Sequence, residues 1–501
     1  MDKRHAVVIG SGIGGLGITC LLARKGYRVT VLEKNVRLGG RANLFEADGF
    51  RFDMGPSWYQ MPDVWEHFFS LLGEKVEDHL SLVRLDPSYR IYFRGSGDVA
   101  DLHSDMARDR ATFERLEPGS SDRLKEYLEI AAYQYETAKR YFMHRNYDSP
   151  LDFFNRRTLL EGQRLHVFEP MHDYVARYVK DPRVQQIIEY FAVFLGSSPF
   201  KTPALYSIMS HIDFTYGVSY PQGGIYEIVK TLVGIAEKHG ATFRADAAVA
   251  RILTERGTAV GVRLESGEEV RADLVVSNAD IHHTETCLLG PSERAYSPRY
   301  WKTRTLAPSA FIMYLGVKGS LPALLHHTLV FPDDWPGEFA KVFERPAWSD
   351  TPSYYVCNPS KTDPSVAPEG HENVFVLVPI APSLEYDDAF EQSYGDRVLA
   401  LMAKDFGVPD LKERVVFRRH YGIKDFAADY HSFGGSALGL AHTLMQSALF
   451  RPSNVSKKVR NLYYVGAGTN PGIGMPTCLI SSQTAYKRIQ GIRSPEPLAS
   501  L

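Results

Sequence analysis

An α/β fold, built on a parallel sheet with helices packed against it, is predicted by three features of this chain. A short apolar run at residues 6–9 leads straight into a glycine-rich turn. A helical stretch and a second apolar run follow, the latter ending in an acid, Glu33. Near the C-terminus another short apolar run, residues 462–465, enters a second glycine-rich junction and a helix.

The first unit reads as β-α-β. Residues 6–9 suit a strand buried on both faces. Gly10, Gly12 and Gly15 satisfy G-x-G-x-x-G, with Ser11 and Gly14 between them. The first glycine permits a tight turn, the second a close approach to a pyrophosphate, and the third close helix–strand packing. The helix, expected over 16–25 with Gly26 as its stop, offers unpaired N–H groups and a positive dipole end to the phosphates. A strand over 28–32 places Glu33 about 20 residues beyond the turn, where a carboxylate accepts ribose hydroxyls. The expected nucleotide contacts are therefore Gly10, Ser11, Gly12, Gly14, Gly15, Glu33 and Lys34. A negative Glu33 argues against a phosphorylated ribose.

Composition limits the classes. The chain has 501 residues, 44% hydrophobic, enough for about three domains at roughly 150 residues each. A net charge of -2 gives no reason to expect a nucleic-acid partner. Cys20, Cys287, Cys357 and Cys478 are widely spaced and read as buried small hydrophobes in a reducing compartment. With no room for a signal peptide ahead of residue 6 and no apolar run of about 18 residues, a cytoplasmic location is expected. Peripheral membrane contact stays open.

Beyond Glu33 come Arg37-Leu38-Gly39-Gly40-Arg41 and then Gly49-Phe50-Arg51-Phe52-Asp53-Met54-Gly55-Pro56-Ser57. This arrangement of GG-R, hairpin and D-x-G-P turn resembles the flavin-containing amine oxidase and carotenoid desaturase superfamily. The resemblance implies FAD, with Gly40, Arg41, Gly55, Pro56 and Ser57 against its flavin half. Arg41 suits a diphosphate because its charge is fixed.

Pieces of the same unit return later. Pro221-Gln222-Gly223-Gly224 precedes a helix expected over 225–238. Alternating strands are expected at 247–253, 259–264 and 269–271, and a buried strand at 274–277. By the resemblance this block covers the adenine, with Val249 beside it. Gly466, Gly468, Gly474, Met475 and Pro476 line the C-terminal junction, before a helix expected over 477–489; the same resemblance implies that this junction closes the FAD site. The expected architecture is thus a Rossmann-type FAD-binding domain (1–84, 221–299 and 441–501) plus an α+β substrate-binding domain with a helical part (85–220 and 300–440).

Those intervening segments are similar to the bacterial phytoene desaturase family, through Ser197-Ser198-Pro199-Phe200, Leu205-Tyr206, the run 309–316, His326-His327-Thr328, residues 362–370, Asp425-Phe426, Gly435-Ser436-Ala437, Gln446-Ser447-Ala448, Phe450-Arg451-Pro452 and the GAGT-x-PG-x-G-x-P ending. Asn470 stands where that family more often has His. The resemblance implies FAD-dependent desaturation of a carotenoid precursor, phytoene above all, to more conjugated carotenes such as lycopene. It also implies oxygen or a quinone as electron acceptor and attachment to the membrane surface that holds the substrate. A long polyene has no polar handle, so an apolar tunnel is expected. Residues 190–195 and 311–315 could be tunnel wall or core. His326-His327, without HExxH or a cysteine cluster, reads as structural rather than as a metal site, with a place in the substrate-site lining as the alternative. No Ser/His/Asp set stands out, and no catalytic side chain is assigned. A carotene isomerase, carotenoid oxygenase or polyene saturase would carry the same FAD motifs. A lipid carrier like the Rab GDP-dissociation inhibitors would share the fold but have no need of Glu33, Arg41 and the closing glycines.

Overall fold

The computed structural model describes residues 3–149, 166 and 168–501; part of the expected substrate region, 150–165, lies outside them. The first strand, β1 (His5–Ile9), is buried along its whole length, as its apolar run requires. It lies centrally in a five-stranded parallel sheet, in the order Leu462–Tyr464, Leu274–Ser277, β1, β2 (Arg28–Leu32), Thr242–Arg244. Helix α1 (Ile13–Arg24) packs on this sheet and against the helices Tyr226–Lys238 and Met475–Gln490. The α1 helix begins three residues earlier than expected, because Gly14 and Gly15 are themselves helical. Poor helix formers are held there by contact: a Cβ on Gly15 would lie 2.1 Å from the Gly10 carbonyl oxygen.

The hairpin expected after Arg41 is present as Leu44–Ala47 and Phe50–Asp53, antiparallel. Its turn, Asp48-Gly49, has both φ values positive, the pattern of a two-residue hairpin. Asp53 at its end is committed structurally. Its carboxylate accepts the N–H groups of Ile225 and Tyr226 at 2.8 and 3.1 Å, tying the D-x-G-P segment to the Tyr226–Lys238 helix. Burial pushes Asp53 up to about 6.

The antiparallel meander is Val249–Glu255, Thr258–Leu264 and Glu269–Arg271. Thr242–Arg244, a three-residue parallel edge strand, was absent from the sequence expectation, since so short a run carries no periodicity.

The intervening segments build a seven-stranded sheet in the order Val415–Tyr421, Ser309–Lys318, His371–Ile380, Tyr354–Cys357, His327–Phe331, Tyr89–Phe93, Val99–Leu102. Every pairing is antiparallel except that of His327–Phe331 with Tyr89–Phe93. Helices Ser120–Ala138, Pro182–Glu189 and Ile208–Tyr216 supply the helical part. Strand alternation sorts the residues at 311–315: Phe311, Met313 and Leu315 sit in one core cluster, whereas Ile312 and Tyr314 belong to another on the opposite face, where Ile312 also lines the main cavity.

The cysteine expectation needs correction. Cys20 and Cys357 are buried, with thiols pushed up to about 12 by burial. Cys287, however, is exposed, and Cys478 is half-buried and faces the main cavity. Among the described residues no helix is long and apolar enough to cross a membrane.

Candidate cofactor and substrate site

One cavity of about 1010 Å³ joins the two sheets. It lies at the upper end of the range for ligand sites, roughly 300–1,000 Å³. Of the expected contacts, Gly10, Gly12, Gly14, Glu33, Lys34, Gly40, Arg41, Gly55, Pro56, Ser57, Val249, Gly466, Gly474, Met475 and Pro476 line it. Ser11, Gly15 and Gly468 do not: Ser11 turns toward Glu33, Gly15 packs on Gly10, and a Cβ on Gly468 would meet Ile281.

The floor suits a dinucleotide. Gly12 is the N-cap of helix α1 and has no side chain to bond the first N–H groups, which leaves them for an anion. At the C-terminal junction Gly466 has φ +96, and a Cβ on it would lie 2.7 Å from Asn278 Oδ1. A Cβ on Gly14 would meet the same oxygen at 2.7 Å and Gly466 Cα at 2.8 Å. Asn278 thus inserts its side chain between the two glycine turns. Sequence reasoning passed over it as the residue after a strand, because only the parallel pairing of Leu274–Ser277 with β1 brings it there.

Glu33 is buried and already bonded. Its Oε2 accepts Ser11 N–H at 2.9 Å and Ser11 Oγ–H at 2.7 Å, and its Oε1 accepts Asn35 N–H at 3.0 Å. A carboxylate has about four lone-pair sites, so one remains for a ribose hydroxyl. Arg41 donates from Nε to the Ala437 carbonyl (2.7 Å) and from Nη2 to Ser432 Oγ (2.7 Å), and its guanidinium lies over the Tyr430 ring at 5.1 Å. Among the described residues it has no carboxylate partner, so its charge is available to a diphosphate. Past Glu33, His283 and His431 stack face to face, with centroids 3.9 Å apart, on the wall shared with Lys34 and Val249. Burial holds His283 at about 4 and lowers His431 as well, which favours neutral rings and a flat surface suited to a base.

Away from the glycine turns the lining becomes apolar: Ala138, Phe142, Met143, Val193, Phe194, Leu205, Ile208 and Met209. Within the 190–195 stretch, Val193–Leu195 face the cavity, whereas Tyr190 and Phe191 are core. Every lining carboxylate and cation among the described residues, namely Glu33, Lys34, Arg41, Asp280 and Asp429, belongs to the nucleotide half. One polar island in the apolar part, around His442, is closed on itself. His442 Nε2 accepts Ile473 N–H at 3.1 Å, so Nδ1 carries the proton and donates to Tyr206 Oη at 2.7 Å. Tyr206 then donates to Ser447 Oγ (3.0 Å), which donates to the Thr443 carbonyl (2.8 Å). Within this island no donor is left over, whereas Gln60 Nε2 and Trp58 Nε1, on residues that also line the cavity, have no hydrogen-bond partner among the described residues.

The 326–327 pair is buried and lies outside the cavity lining. With Cys357 it forms the one group of three metal-type ligands among the described residues, their atoms within 4.8 Å of one another. His326 Nδ1 pairs with Thr362 Oγ1 and His327 Nδ1 with Tyr355 Oη, each at 2.7 Å.

A glycine-lined dinucleotide floor opening into an apolar chamber defines a flavin-dependent oxidoreductase of a large apolar substrate. The family model for flavin-containing amine oxidoreductases matches residues 13–489. A carotenoid 3,4-desaturase of Haloarcula japonica is 47% identical over 98% of this chain and 99% of its own length. A zeta-carotene-forming phytoene desaturase of Myxococcus xanthus is 37% identical over 97% and 94%. A putrescine oxidase structure superposes with a TM-score of 0.63 at 15% identity, covering 98% of this chain and 99% of that one, which speaks to the fold. The chain belongs to the flavin-containing amine oxidoreductase family, on its carotenoid desaturase branch. It is an FAD-dependent oxidoreductase acting on CH–CH groups.

Proposed function

We propose that this protein desaturates a carotenoid at a single bond adjoining the conjugated chain, with FAD held by the residues above. The observation that carries this reading is the cavity's division: all lining charge lies at the nucleotide end, and the rest offers apolar contact. Bound FAD supplies the two-electron oxidation. The protein positions the chain, excludes water, and keeps the lining carboxylates Glu33, Asp280 and Asp429 hydrogen-bonded at the nucleotide end, away from the polyene.

Phytoene is the first substrate to test. The 47% identity to a carotenoid 3,4-desaturase, against 37% to a phytoene desaturase, favours a second reading: an already conjugated carotenoid, oxidised near its end. Delivery from a membrane surface is supported by the rim, where Phe168 (86% exposed), Met445 (60%), Leu444 and Phe450 project apolar side chains at the cavity lining. Oxygen or a quinone is proposed as final electron acceptor.

The test is an anaerobic incubation of FAD-loaded protein with carotenoid in liposomes, following flavin absorbance and extracted pigments together. Bleaching with longer-wavelength products from phytoene supports the first reading; bleaching only with conjugated carotenoids supports the second. Unchanged flavin and pigment in both refute desaturation, and a pigment change without bleaching indicates isomerisation.

A further inference from the structure

We infer that Tyr355 is a catalytic residue that accepts the proton lost from the substrate, with His327 and Ser57 positioning it. The inference rests on the desaturation reading above and adds an acceptor that sequence motifs did not supply.

Desaturation removes two hydrogens from neighbouring carbons. FAD held by the residues above would take the hydrogen and electron pair of one C–H bond. The electrons of the adjacent C–H bond then become the new π bond, and that hydrogen must leave as a proton to a base. The lining carboxylates are engaged elsewhere. Glu33 holds the turn, Asp280 caps the Ile281–His283 helical turn through two N–H groups, and Asp429 accepts Tyr421 Oη at 2.8 Å. The Tyr206–His442 island has its donors committed in one direction.

Tyr355 differs. It reaches the cavity from the Tyr354–Cys357 strand of the seven-stranded sheet, while Ser57 reaches it from the D-x-G-P segment of the cofactor half. Their hydroxyls meet at 2.7 Å, where the two halves join, and Tyr355 Oη lies 2.7 Å from His327 Nδ1. Trp58 stacks on the His327 ring at 4.6 Å and fixes its plane. His327 Nε2 is buried with no hydrogen-bond partner, unlike the nitrogens of His442. The line is therefore open at both ends: the cavity at Ser57 and Tyr355, an imidazole able to change its protonation at the other.

As the second C–H bond breaks, its proton passes to Tyr355 Oη while the phenolic proton moves to His327 Nδ1. Ser57 donates to the phenol oxygen throughout. With the hydride equivalent taken up by FAD and the proton by His327, atoms and charge would balance. A carbon beside a delocalised cation is strongly acidic, so an imidazole whose charged form is disfavoured by burial is still base enough.

The direction of transfer makes a prediction that needs no turnover. Tyr355 must donate to His327, so Nδ1 is bare and Nε2 carries the proton in the resting protein. Long-range ¹H–¹⁵N spectra of histidine-labelled apo-protein, with the signal assigned by His327→Gln, read this tautomer directly. In the loaded protein, Tyr355→Phe is expected to slow formation of the desaturated pigment about 100-fold under anaerobic conditions. Deuterium at the proton-losing carbon, nearly silent in wild type, should then slow the variant several-fold. A proton on Nδ1 overturns the proposal, as does wild-type product formation with unchanged isotope response in Tyr355→Phe. Should wild type itself fail to bleach with any carotenoid, the desaturation reading fails instead.

Discussion

Replacing Glu33 by glutamine isolates one acceptor at the nucleotide end without changing side-chain volume. The carboxylate holds Ser11 N–H, Ser11 Oγ–H and Asn35 N–H, at 2.9, 2.7 and 3.0 Å. A glutamine oxygen has two lone-pair sites and can keep the Ser11 pair, but its amide then points N–H at the Asn35 N–H. One bond to a charged acceptor is lost, worth about 1.5–3 kcal/mol, and the other two lose their charge assistance. Together these should destabilise the apo-protein by about 2–4 kcal/mol. The fourth acceptor site disappears as well, so FAD loses its ribose contact, another roughly 1.5–3 kcal/mol, or about 10- to 100-fold in Kd. Titrating apo-protein with FAD and following the quenching of FAD fluorescence measures that ratio, and thermal denaturation of the same samples measures the first effect. A Kd within about threefold of wild type would refute the assignment of Glu33 to the ribose.

Other consequences are equally direct. Gly14→Ala drives a Cβ to 2.7 Å from Asn278 Oδ1 and 2.8 Å from Gly466 Cα, so the purified variant should carry no yellow flavin. Gly234→Ala, in the Tyr226–Lys238 helix with nothing within 4 Å, should keep its flavin and gain up to about 1 kcal/mol. Arg451 is buried beneath the closing loop and donates to the carbonyls of Thr469, Gln446, Leu440 and Ala467. Arg451→Met leaves those acceptors unpaired and should cost several kcal/mol of stability, with FAD retention falling in parallel; retention equal to wild type would show that the loop does not depend on this residue. Burial raises Asp213 to about 7, so the folded state favours its protonated form. The stability this provides is complete below about pH 4 and is lost as pH rises through 7. Denaturation of wild type and Asp213→Asn across that range should show their difference changing with pH; a constant gap contradicts the burial argument.

The parts of the fold readable in the chain are those whose physics is local. β1, α1 and β2 announce themselves by an apolar run, three spaced glycines, a helix stop and an acid, since each feature answers to backbone geometry within a few residues. Where expectation and structure differ, longer-range contacts prevailed. Gly14 and Gly15 are helical because strand and helix press together there, and Thr242–Arg244 is a strand because β2 offers it an edge.

The candidate site divides along the same line. Glu33, Arg41, Gly40 and the closing glycines were visible because a phosphate-binding turn dictates residue types at fixed spacing. Asn278, the His283–His431 stack and the line from Ser57 through Tyr355 to His327 were not, because their partners lie tens to hundreds of residues apart. Cys357, which the sequence left as one lone cysteine among four, stands beside the 326–327 pair only because Tyr354–Cys357 and His327–Phe331 are neighbouring antiparallel strands. What the sequence alone determined was the cofactor-binding unit and its ligand class, since a nucleotide is recognised by short backbone-dominated turns. Only the tertiary structure decided which apolar residues are chamber wall and which buried hydroxyl faces the substrate, because a hydrophobic side chain is written identically in a core and in a tunnel.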